Sequence, residues 1–292
     1  MHWSWPAQAG ARPARTPAAQ RSGSLGGHRP GYLTLDGMHG DLEPHGSQPI
    51  SDIAPPLPRP HLLRQQWRDV SFLHWAVSPE SVAPHLPPGT RPDLYEGRAY
   101  VGLIPFRMVD TGAARGPAVP WLGTFPETNV RLYSVDDAGR RGVVFCSLDA
   151  ARAVPVVVGR LAFGLPYVWT RMNHRVDHHW TRAVHTYSAH RRGPHRTVSS
   201  RLTVRVDDER IGGAMESFLT ARWGFHVAHL GRTWFLPNHH EPWPLRSATV
   251  HEMQDDFLAA AGFPEAEGRE PDHVAHAAAV TTRFGRPEPV AG

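Results

Sequence analysis

The clearest pattern in the chain is the alternation of apolar and polar residues over short segments. Residues 129–135 place Val130 and Leu132 on one side and Asn129 and Arg131 on the other. Period two is typical of a β-strand with one face toward a core. An Asp-Asp-Ala-Gly turn follows and leads into the apolar residues 143–148. The pattern therefore predicts a β-hairpin.

Further strands are predicted at residues 67–72, 100–109, 197–206, 225–227 and 274–284. Helical signals are fewer. Ser78 and Pro79 are typical of the first turn of a helix, and helical spacing occurs at residues 214–223 and 254–261, whereas 207–210 are predicted to form a turn. Many short strands with few helices predict an α+β fold that is mainly antiparallel β, a curved barrel or sandwich with helices at its periphery.

The domain organisation follows from where Pro, Gly and Arg are concentrated. Residues 1–60 have little apolar periodicity and are predicted to be a disordered leader, residues 61–287 a single β-rich domain, and residues 288–292 a tail. Four Arg residues precede the first acidic residue, Asp36, so the leader is either a nucleic-acid-binding surface or a solvated tail. The lack of interleaved aromatic residues favours the solvated tail over nucleic acid as a partner.

Two absences in the sequence limit the expected location of the protein. No apolar run approaches the ~20 residues of a membrane-spanning helix. The N-terminal segment lacks the continuous apolar core of a signal peptide. We therefore expect a cytoplasmic protein without a membrane partner.

The sequence contains 31 arginines and no lysine. P-loop proteins, protein kinases and enzymes that form a Schiff base or use pyridoxal phosphate all require a lysine. The sequence excludes these classes and predicts no cofactor. The single cysteine, Cys146, excludes an intrachain disulfide. Its apolar neighbours favour a buried side chain over a nucleophile.

The 20 His residues raise the question of a metal site. His174 and His178 are four residues apart, and adjacent His pairs occur at 178–179 and 239–240. The chain lacks a His-Glu-x-x-His motif and any pair of cysteines, and no carboxylate recurs at a ligand spacing. We therefore predict no metal site.

Seven segments of the chain occur in the same order as in a known family. They lie at residues 67–75, 101–106, 125–133, 145–150, 160–172, 218–220 and 239–245. Together they resemble the YqjF-like family of uncharacterised conserved bacterial proteins, which is grouped with the acetoacetate-decarboxylase-like fold. The resemblance covers residues 62–286 and implies a strongly curved antiparallel β-structure around a central cavity.

The same resemblance identifies chemistry that this chain lacks. In acetoacetate decarboxylase a Gly-aromatic-Pro segment precedes the Schiff-base lysine pair, and the similar positions here are Tyr167 and Val168. Imine formation is thus excluded by position as well as by composition. The Leu-Thr-Glu-Arg-Tyr motif of the family has Ala221 in place of its acidic residue, which argues against a role for that carboxylate here.

The main candidate ligand-binding residues lie on the predicted strand. Glu127, Asn129 and Arg131 alternate along it and fall on one face, with successive members about 6.6 Å apart. The pattern alone fits a cavity wall or a solvated surface equally well, and the resemblance favours the cavity. There the three residues would form a polar strip that binds a carboxylate or carbonyl group, with the planar fork of Arg131 as donor.

Four further residues complete the predicted site. Arg160 is expected to form a buried ion pair with Glu127. Tyr167 is interpreted either as a phenol donor to a substrate oxygen or as a packed tyrosine with one backbone hydrogen bond. His240 and Glu241 lie in a segment rich in Pro and Trp, which predicts a rigid loop at the cavity rim.

These observations lead to three functional hypotheses. The first is a small-molecule-binding protein with a carboxylate- or carbonyl-bearing ligand in the cavity. The second is a non-catalytic interaction or structural protein on the same scaffold. The third is a lyase- or hydrolase-type acid/base enzyme with Glu127 and Tyr167 as catalytic residues and Arg131 or Arg160 beside the oxyanion.

Two properties of Glu127 distinguish these hypotheses. A raised pKa in a dry cavity would favour the enzyme, whereas an ion-paired Glu127 without space for a ligand would favour the interaction or structural protein. The sequence leaves the oligomeric state open, including a homo-oligomer.

Overall fold

The computed structural model describes residues 46–113, 123–179, 182–191 and 198–291. Within them the chain forms thirteen β-strands and four short α-helices. The strands are β1 (Leu63–Val77), β2 (Thr90–Pro92), β3 (Ala99–Ala113), β4 (Phe125–Asp136), β5 (Arg141–Ala150), β6 (Tyr167–His179), β7 (Arg182–Arg191), β8 (Ser199–Arg210), β9 (Gly224–His229), β10 (Arg232–His239), β11 (Leu245–Asp255), β12 (His273–Phe284) and β13 (Glu288–Pro289). The α-helices are α1 (Pro79–Val82), α2 (Ala153–Phe163), α3 (Ala214–Thr220) and α4 (Phe257–Ala260). None of the helices in these ranges is long and apolar enough to cross a membrane.

The strands form one sheet that closes on itself, and most neighbouring strands are antiparallel. β12, β1, β3, β4 and β5 lie side by side and are shared by two rings. β6, β7, β8 and β11 close the larger ring, whereas β9 and β10 close the smaller one. The sheet forks because β5 pairs with β9 near its start and with β6 near its end, and β12 divides its edge between β11 and β10. The predicted fold class is confirmed.

The strands at the centre of the sheet are buried on both faces. Val130 and Leu132 of β4 pack in a core that also contains Trp75 and, from α4, Phe257. Successive side chains of a strand point to opposite faces. The side chains that alternate with Val130 and Leu132 therefore point to the opposite face of the sheet, where a second core contains Phe72 and its neighbours.

A bulge in β1 bends this long strand around the ring. The pairing of β1 with β3 shifts register between Arg68 and Leu73, and Asp69 has a φ of 53°. A bulge bends a strand and increases its twist. Tyr187 Oη on β7 donates a hydrogen bond to the Asp69 carbonyl at 2.6 Å, and Arg107 on β3 lies 3.6 Å from the Asp69 carboxylate. Contacts from β7 and β3 thus hold the bulge in place.

A buried ion pair joins three strands where β5 meets β6. Asp149 of β5 is fully buried. It accepts hydrogen bonds from Nε and Nη2 of Arg191 on β7 at 2.8 and 2.7 Å, and from Thr170 Oγ1 on β6 at 2.6 Å. The parallel pairing of β5 with β6 covers only residues 148–150 of β5. The ion pair therefore stabilises a junction that has few backbone hydrogen bonds.

Most of the predicted elements are confirmed, including the hairpin of β4 and β5, the Ser78 N-cap of α1, and α3. Three predictions are wrong in extent: residues 207–210 continue β8, α3 ends at Thr220 and not at residue 223, and residues 254–255 belong to β11, so that α4 is shorter than expected. Residue 197, the predicted start of a strand, lies outside the described residues. The sequence did not predict α2, β6, β7, β10 or β11. β6 and β7 are rich in His, Arg and Thr, so they lack the apolar alternation on which the prediction depended.

The predicted leader falls mostly outside the described residues, and its disorder stays a prediction. Residues 46–60 have no regular secondary structure. They nevertheless contact the domain, because Gln48 N donates to the Gly139 carbonyl and Trp223 Nε1 donates to the Ser51 carbonyl, each at 2.9 Å. At the other end of the chain, β13 within the predicted tail pairs with β10.

Asp149→Ala is expected to destabilise the domain by about 3–5 kcal/mol, because it leaves the Arg191 guanidinium without its carboxylate partner. Urea unfolding followed by tryptophan fluorescence measures the difference. Asp208→Ala is the matched control, since the Asp208 side chain is 71% exposed, and it should change the free energy of unfolding by less than about 0.5 kcal/mol. Equal stability of the two variants would contradict the role assigned to this ion pair.

Candidate functional site

A cavity of about 420 Å³ lies within the smaller ring of the sheet. Each strand of that ring contributes side chains to the wall, together with α2 and the first residue of β6. Most of the wall is apolar and much of it is aromatic, including Trp67, Phe72, Phe106, Phe125, Phe225 and Trp243. Ligand pockets of about 300–1,000 Å³ with a few placed polar groups are typical small-molecule sites.

The polar strip predicted on β4 lines this cavity. Glu127, Asn129 and Arg131 all contribute to the wall. They lie opposite Phe106, Ile104 and Gly102 in the pairing of β4 with β3. Val130 and Leu132, which alternate with them, fill the core on the other side of the sheet. These three side chains therefore point toward the cavity.

Glu127 is a buried carboxyl without a positive partner. It is 2% exposed, and no Arg or His within the described ranges lies within 4 Å of its carboxyl oxygens. Burial, with a smaller contribution from the charge of Asp149, raises the pKa of Glu127 to about 8, against the lowering effect of the hydrogen bond from Tyr167. At pH 7 only about one Glu127 carboxyl in ten is therefore ionised. The group is mostly a neutral acid at that pH.

Tyr167 supplies the hydrogen bond to this acid. Its Oη donates to Glu127 Oε2 at 3.4 Å. Burial and the neighbouring Glu127 raise the pKa of Tyr167 well above its usual value, so the phenol keeps its proton. Gly159 of α2 allows the ring to lie here, because a Cβ at that position would be 2.5 Å from two ring atoms. Tyr167 is thus a residue of the cavity wall whose phenol donates to a side chain, and its role as a donor to a substrate oxygen stays a prediction.

Arg131 brings a positive charge to the cavity wall. Its Nε donates to Tyr133 Oη at 3.1 Å and its Nη2 donates to the Leu219 carbonyl at 2.9 Å. The guanidinium also lies 5.5 Å from the centre of the Phe72 ring. In the part of the chain that the structure describes, no carboxylate lies within 4 Å of it. Its charge is thus held by neutral groups.

Several cavity residues were not predicted from the sequence, above all Arg222 and Asn238. Arg222 is 4% exposed, donates through Nε to the Phe218 carbonyl at 2.7 Å and pairs through Nη1 with Asp93. Its Nη2 has no hydrogen-bond partner among the described residues, and neither do Trp67 Nε1 and the Oδ1 atoms of Asn129 and Asn238. A buried polar atom without a partner costs about 1–3 kcal/mol. These atoms are therefore polar groups of wall residues whose hydrogen bonding the described part of the protein does not complete. Arg222 lies in the Leu-Thr-x-Arg segment, which was the one sequence signal for it.

Two of the predicted residues lie outside the cavity wall. Arg160 is exposed on α2, and the expected ion pair with Glu127 does not form. Instead, Arg160 Nε donates to the Tyr167 carbonyl at 2.5 Å and holds the start of β6. Glu241 is also exposed, and only its backbone carbonyl contributes, by accepting from His240 Nδ1 at 2.7 Å.

His240 lines the cavity as predicted and lies among aromatic rings. Its ring centre is 4.7 Å from that of Trp223, 4.9 Å from that of Trp243 and 5.9 Å from that of Trp67. Burial lowers the pKa of His240 to about 4. At pH 7 it is a neutral imidazole and adds no charge to the site.

Two other residue types examined in the sequence do not contribute to this site. Burial raises the pKa of the Cys146 thiol to about 12, so the side chain is protonated and the structure offers no nucleophile there. Within the described residues, no three His, Cys, Asp or Glu side chains are arranged to hold a metal ion. The side chain of His179 lies outside the described part of the chain.

Residues 64–281 match the DUF2071 family, described as an uncharacterized conserved protein. A curated relative, the uncharacterized protein YqjF of Bacillus subtilis (strain 168), is 29% identical over 212 residues. The match spans 70% of this chain and 85% of the relative. The resemblance inferred from the sequence motifs is confirmed.

Solved structures of similar fold include acetoacetate-decarboxylase-like proteins. An acetoacetate decarboxylase-like enzyme from Sphingomonas wittichii RW1 has a TM-score of 0.54 at 14% identity, over 80% of this chain and 94% of that one. The enduracididine biosynthesis enzyme MppR complexed with pyruvate has a TM-score of 0.52 at 16% identity, over 80% of this chain and 92% of that one. The likeness shows that the chain has an acetoacetate-decarboxylase-like fold.

Glu127→Gln is expected to stabilise the protein increasingly as pH rises. Between pH 4.5 and 8 the folded state keeps the Glu127 proton while the unfolded state releases it, so this carboxyl makes folding less favourable over that interval. The variant should match the wild type near pH 4.5 and exceed its free energy of unfolding by about 4–5 kcal/mol at pH 9.

Urea unfolding at a series of pH values measures this difference. Glu209→Gln is the matched control, because Glu209 is exposed on β8, and its stability should follow that of the wild type at every pH. A difference between Glu127→Gln and the wild type that stays constant with pH would contradict the neutral, buried Glu127.

Proposed function

The chain belongs to the DUF2071 family, and we propose that it is a small-molecule-binding protein whose cavity holds a largely apolar ligand with a carboxylate or carbonyl group. The observation that carries the proposal is the position of Arg131. It presents a guanidinium in a mostly apolar wall, with no carboxylate within 4 Å in the described structure. A charge in such surroundings binds an anionic group strongly, because water does not compete well there.

The other polar atoms of the wall support the same type of ligand. Arg222 Nη2 and Trp67 Nε1 are donors, and Asn129 Oδ1 and Asn238 Oδ1 are acceptors, that lie buried in wall residues without a partner among the described residues. A ligand hydroxyl, enol or carboxylate that settles between these side chains would complete their hydrogen bonds. The aromatic side chains around them would enclose an alkyl chain or a ring. A cytoplasmic location, and a small molecule rather than nucleic acid as partner, are part of this proposal.

A second candidate function, an acid/base enzyme, is favoured by the state of Glu127. The carboxyl is dry, has no ion pair within the described residues and has a pKa of about 8. With the Tyr167 hydroxyl beside it, it could donate a proton at pH 7 and accept one above about pH 8. A purely structural protein would more naturally have an ion-paired Glu127 and a filled interior, so these features support ligand binding with or without catalysis.

The binding proposal is tested with 2-oxooctanoate, octanoate and 2-octanone, which carry both groups, the carboxylate alone and the ketone alone. We expect thermal shifts with all three, strongest for 2-oxooctanoate. A ligand at about 100 times its dissociation constant should add about 2.7 kcal/mol to stability. In Arg131→Met the affinity for the two carboxylates should fall by about 10- to 100-fold, equivalent to about 1.4–2.8 kcal/mol, while 2-octanone binding persists.

Arg232→Met is the matched control. Arg232 is exposed on β10, so this substitution removes the same charge from the surface and not from the cavity. It should bind all three compounds as the wild type does. Absence of binding by the wild type, or an equal loss of octanoate affinity in both variants, would contradict the proposed site.

The enzyme candidate predicts exchange of the C3 protons of 2-oxooctanoate in D₂O. Ionised Glu127 would remove a C3 proton to give the enolate and a protonated Glu127. Exchange of that proton with D₂O and return of a deuteron to C3 would label the ligand and restore the ionised carboxyl. The enzyme-dependent exchange rate, followed by NMR, should rise through about pH 8 and disappear in Glu127→Gln. Rates that equal those without protein would contradict catalysis by Glu127 and leave the binding proposal intact.

A further inference from the structure

Four residues lie in one row across four adjacent strands beside the cavity. Arg131 on β4 pairs with Gly102 on β3, Gly102 pairs with His74 on β1, and His74 pairs with His273 on β12. Residues paired in this way present their side chains on the same face of a sheet. The side chains of Arg131, His74 and His273 therefore share a face with no side chain between the first two.

Gly102 makes that arrangement sterically possible. A Cβ at Gly102 would lie 2.9 Å from His74 Cδ2 and 3.2 Å from His74 Nε2. The space above this glycine is instead occupied by the His74 ring, which reaches Tyr133 on β4. Any larger residue at position 102 would displace the ring.

A chain of close contacts connects these residues. Arg131 Nε donates to Tyr133 Oη at 3.1 Å, Tyr133 Oη lies 2.6 Å from His74 Nε2, and His74 Nδ1 lies 3.0 Å from His273 Nδ1. His273 Nε2 then lies 3.7 Å from Glu216 Oε1. Tyr133 and His74 are almost fully buried, whereas the Glu216 side chain is 21% exposed and borders a second, smaller pocket.

The direction of each hydrogen bond follows from the chemistry of the donors. Arg131 Nε can only donate, so Tyr133 Oη accepts from it, and we assign the phenol proton to His74 Nε2. Burial lowers the pKa of His74 and of His273, so both rings are neutral. His74 must then carry its proton on Nδ1 and donate to His273 Nδ1. The remaining His273 proton is on Nε2, toward the Glu216 carboxylate.

We propose that Tyr133, His74, His273 and Glu216 are positioning residues, which hold the Arg131 guanidinium for the ligand through hydrogen bonds that run outward from the cavity to His273, with the Glu216 carboxylate 3.7 Å beyond it. Two of the three guanidinium nitrogens are fixed by Tyr133 and by the Leu219 carbonyl. Nη1 makes no hydrogen bond within the described residues and is the donor left for a ligand carboxylate. This inference rests on the proposed function, because it assigns the residues that orient its anion-binding group.

Tyr133→Phe removes the hydroxyl that connects Arg131 to His74 and keeps the ring that packs on Phe218 and under Arg222. The affinity for octanoate and 2-oxooctanoate, measured by titration calorimetry, should fall about tenfold, while the affinity for 2-octanone stays within about twofold of the wild type. Glu216→Gln should weaken carboxylate binding by a smaller factor, about threefold, because it removes the charge at the far end of the chain.

Tyr100→Phe is the matched control. Tyr100 belongs to the same aromatic cluster, is 6% exposed and also packs on Phe218, but its hydroxyl is not part of the chain. This variant should bind all three compounds like the wild type. Near-UV circular dichroism establishes that each variant keeps its packed core.

A second measurement determines by ¹⁵N NMR which ring nitrogen is protonated in His74 and in His273 of the unliganded protein. It reports the directions of the hydrogen bonds that connect them. We expect the proton on Nδ1 in His74 and on Nε2 in His273. Protonation of His74 at Nε2, unchanged carboxylate affinity in Tyr133→Phe, or an equal loss for carboxylates and 2-octanone would each overturn the inference. Failure of the wild type to bind any of the compounds would instead refute the proposed function, and the positioning role with it.

Discussion

The burial of both faces of β4 is the constraint on which the rest of this structure depends. On one face Val130 and Leu132 fill a hydrophobic core. On the other face Glu127, Asn129 and Arg131 line a cavity whose remaining wall is mostly aromatic and aliphatic. A strand with no solvent-exposed face must satisfy its polar groups with protein or with ligand, because leaving them unpaired lowers stability.

The two ionisable groups of β4 that line the cavity, Glu127 and Arg131, meet this constraint in different ways. Glu127 does so by remaining mostly protonated at neutral pH, with Tyr167 as its hydrogen-bond donor. Arg131 keeps its charge and distributes it over a phenol, a backbone carbonyl and an aromatic face. An ion pair between Glu127 and Arg131 would have neutralised both charges. Their separation leaves the cavity wall with a neutral acid at Glu127 and a cation at Arg131.

The sequence was sufficient to predict the class of the fold and the central part of the site. The alternation of residues 129–135 identified the face of β4, and the family resemblance placed that face in a cavity rather than in solvent. The strands β6 and β7 were missed because their faces are polar and half-buried, as the His and Arg residues of β6 show. For such strands the two-residue period of apolar residues, on which the prediction relied, is absent.

The parts of the site that were missed depend on contacts between distant segments. Arg160 was expected to pair with Glu127, but it lies on the unpredicted helix α2, with its side chain away from the cavity. Arg222 and Asn238 reach the wall only because β9 and β10 close the smaller ring. Likewise, the contact of Tyr133 with His74 depends on the register of β1, β3 and β4. None of these long-range pairings can be read from the local spacing of residues.

A crystal structure of the protein with 2-oxooctanoate tests the central claim most directly. We predict that the carboxylate lies within hydrogen-bond distance of Arg131 Nη1 and that the alkyl chain lies among the aromatic side chains of the wall. A ligand bound elsewhere, or an inner face of β4 that pairs Arg131 with a protein carboxylate and leaves no space for the ligand, would contradict it.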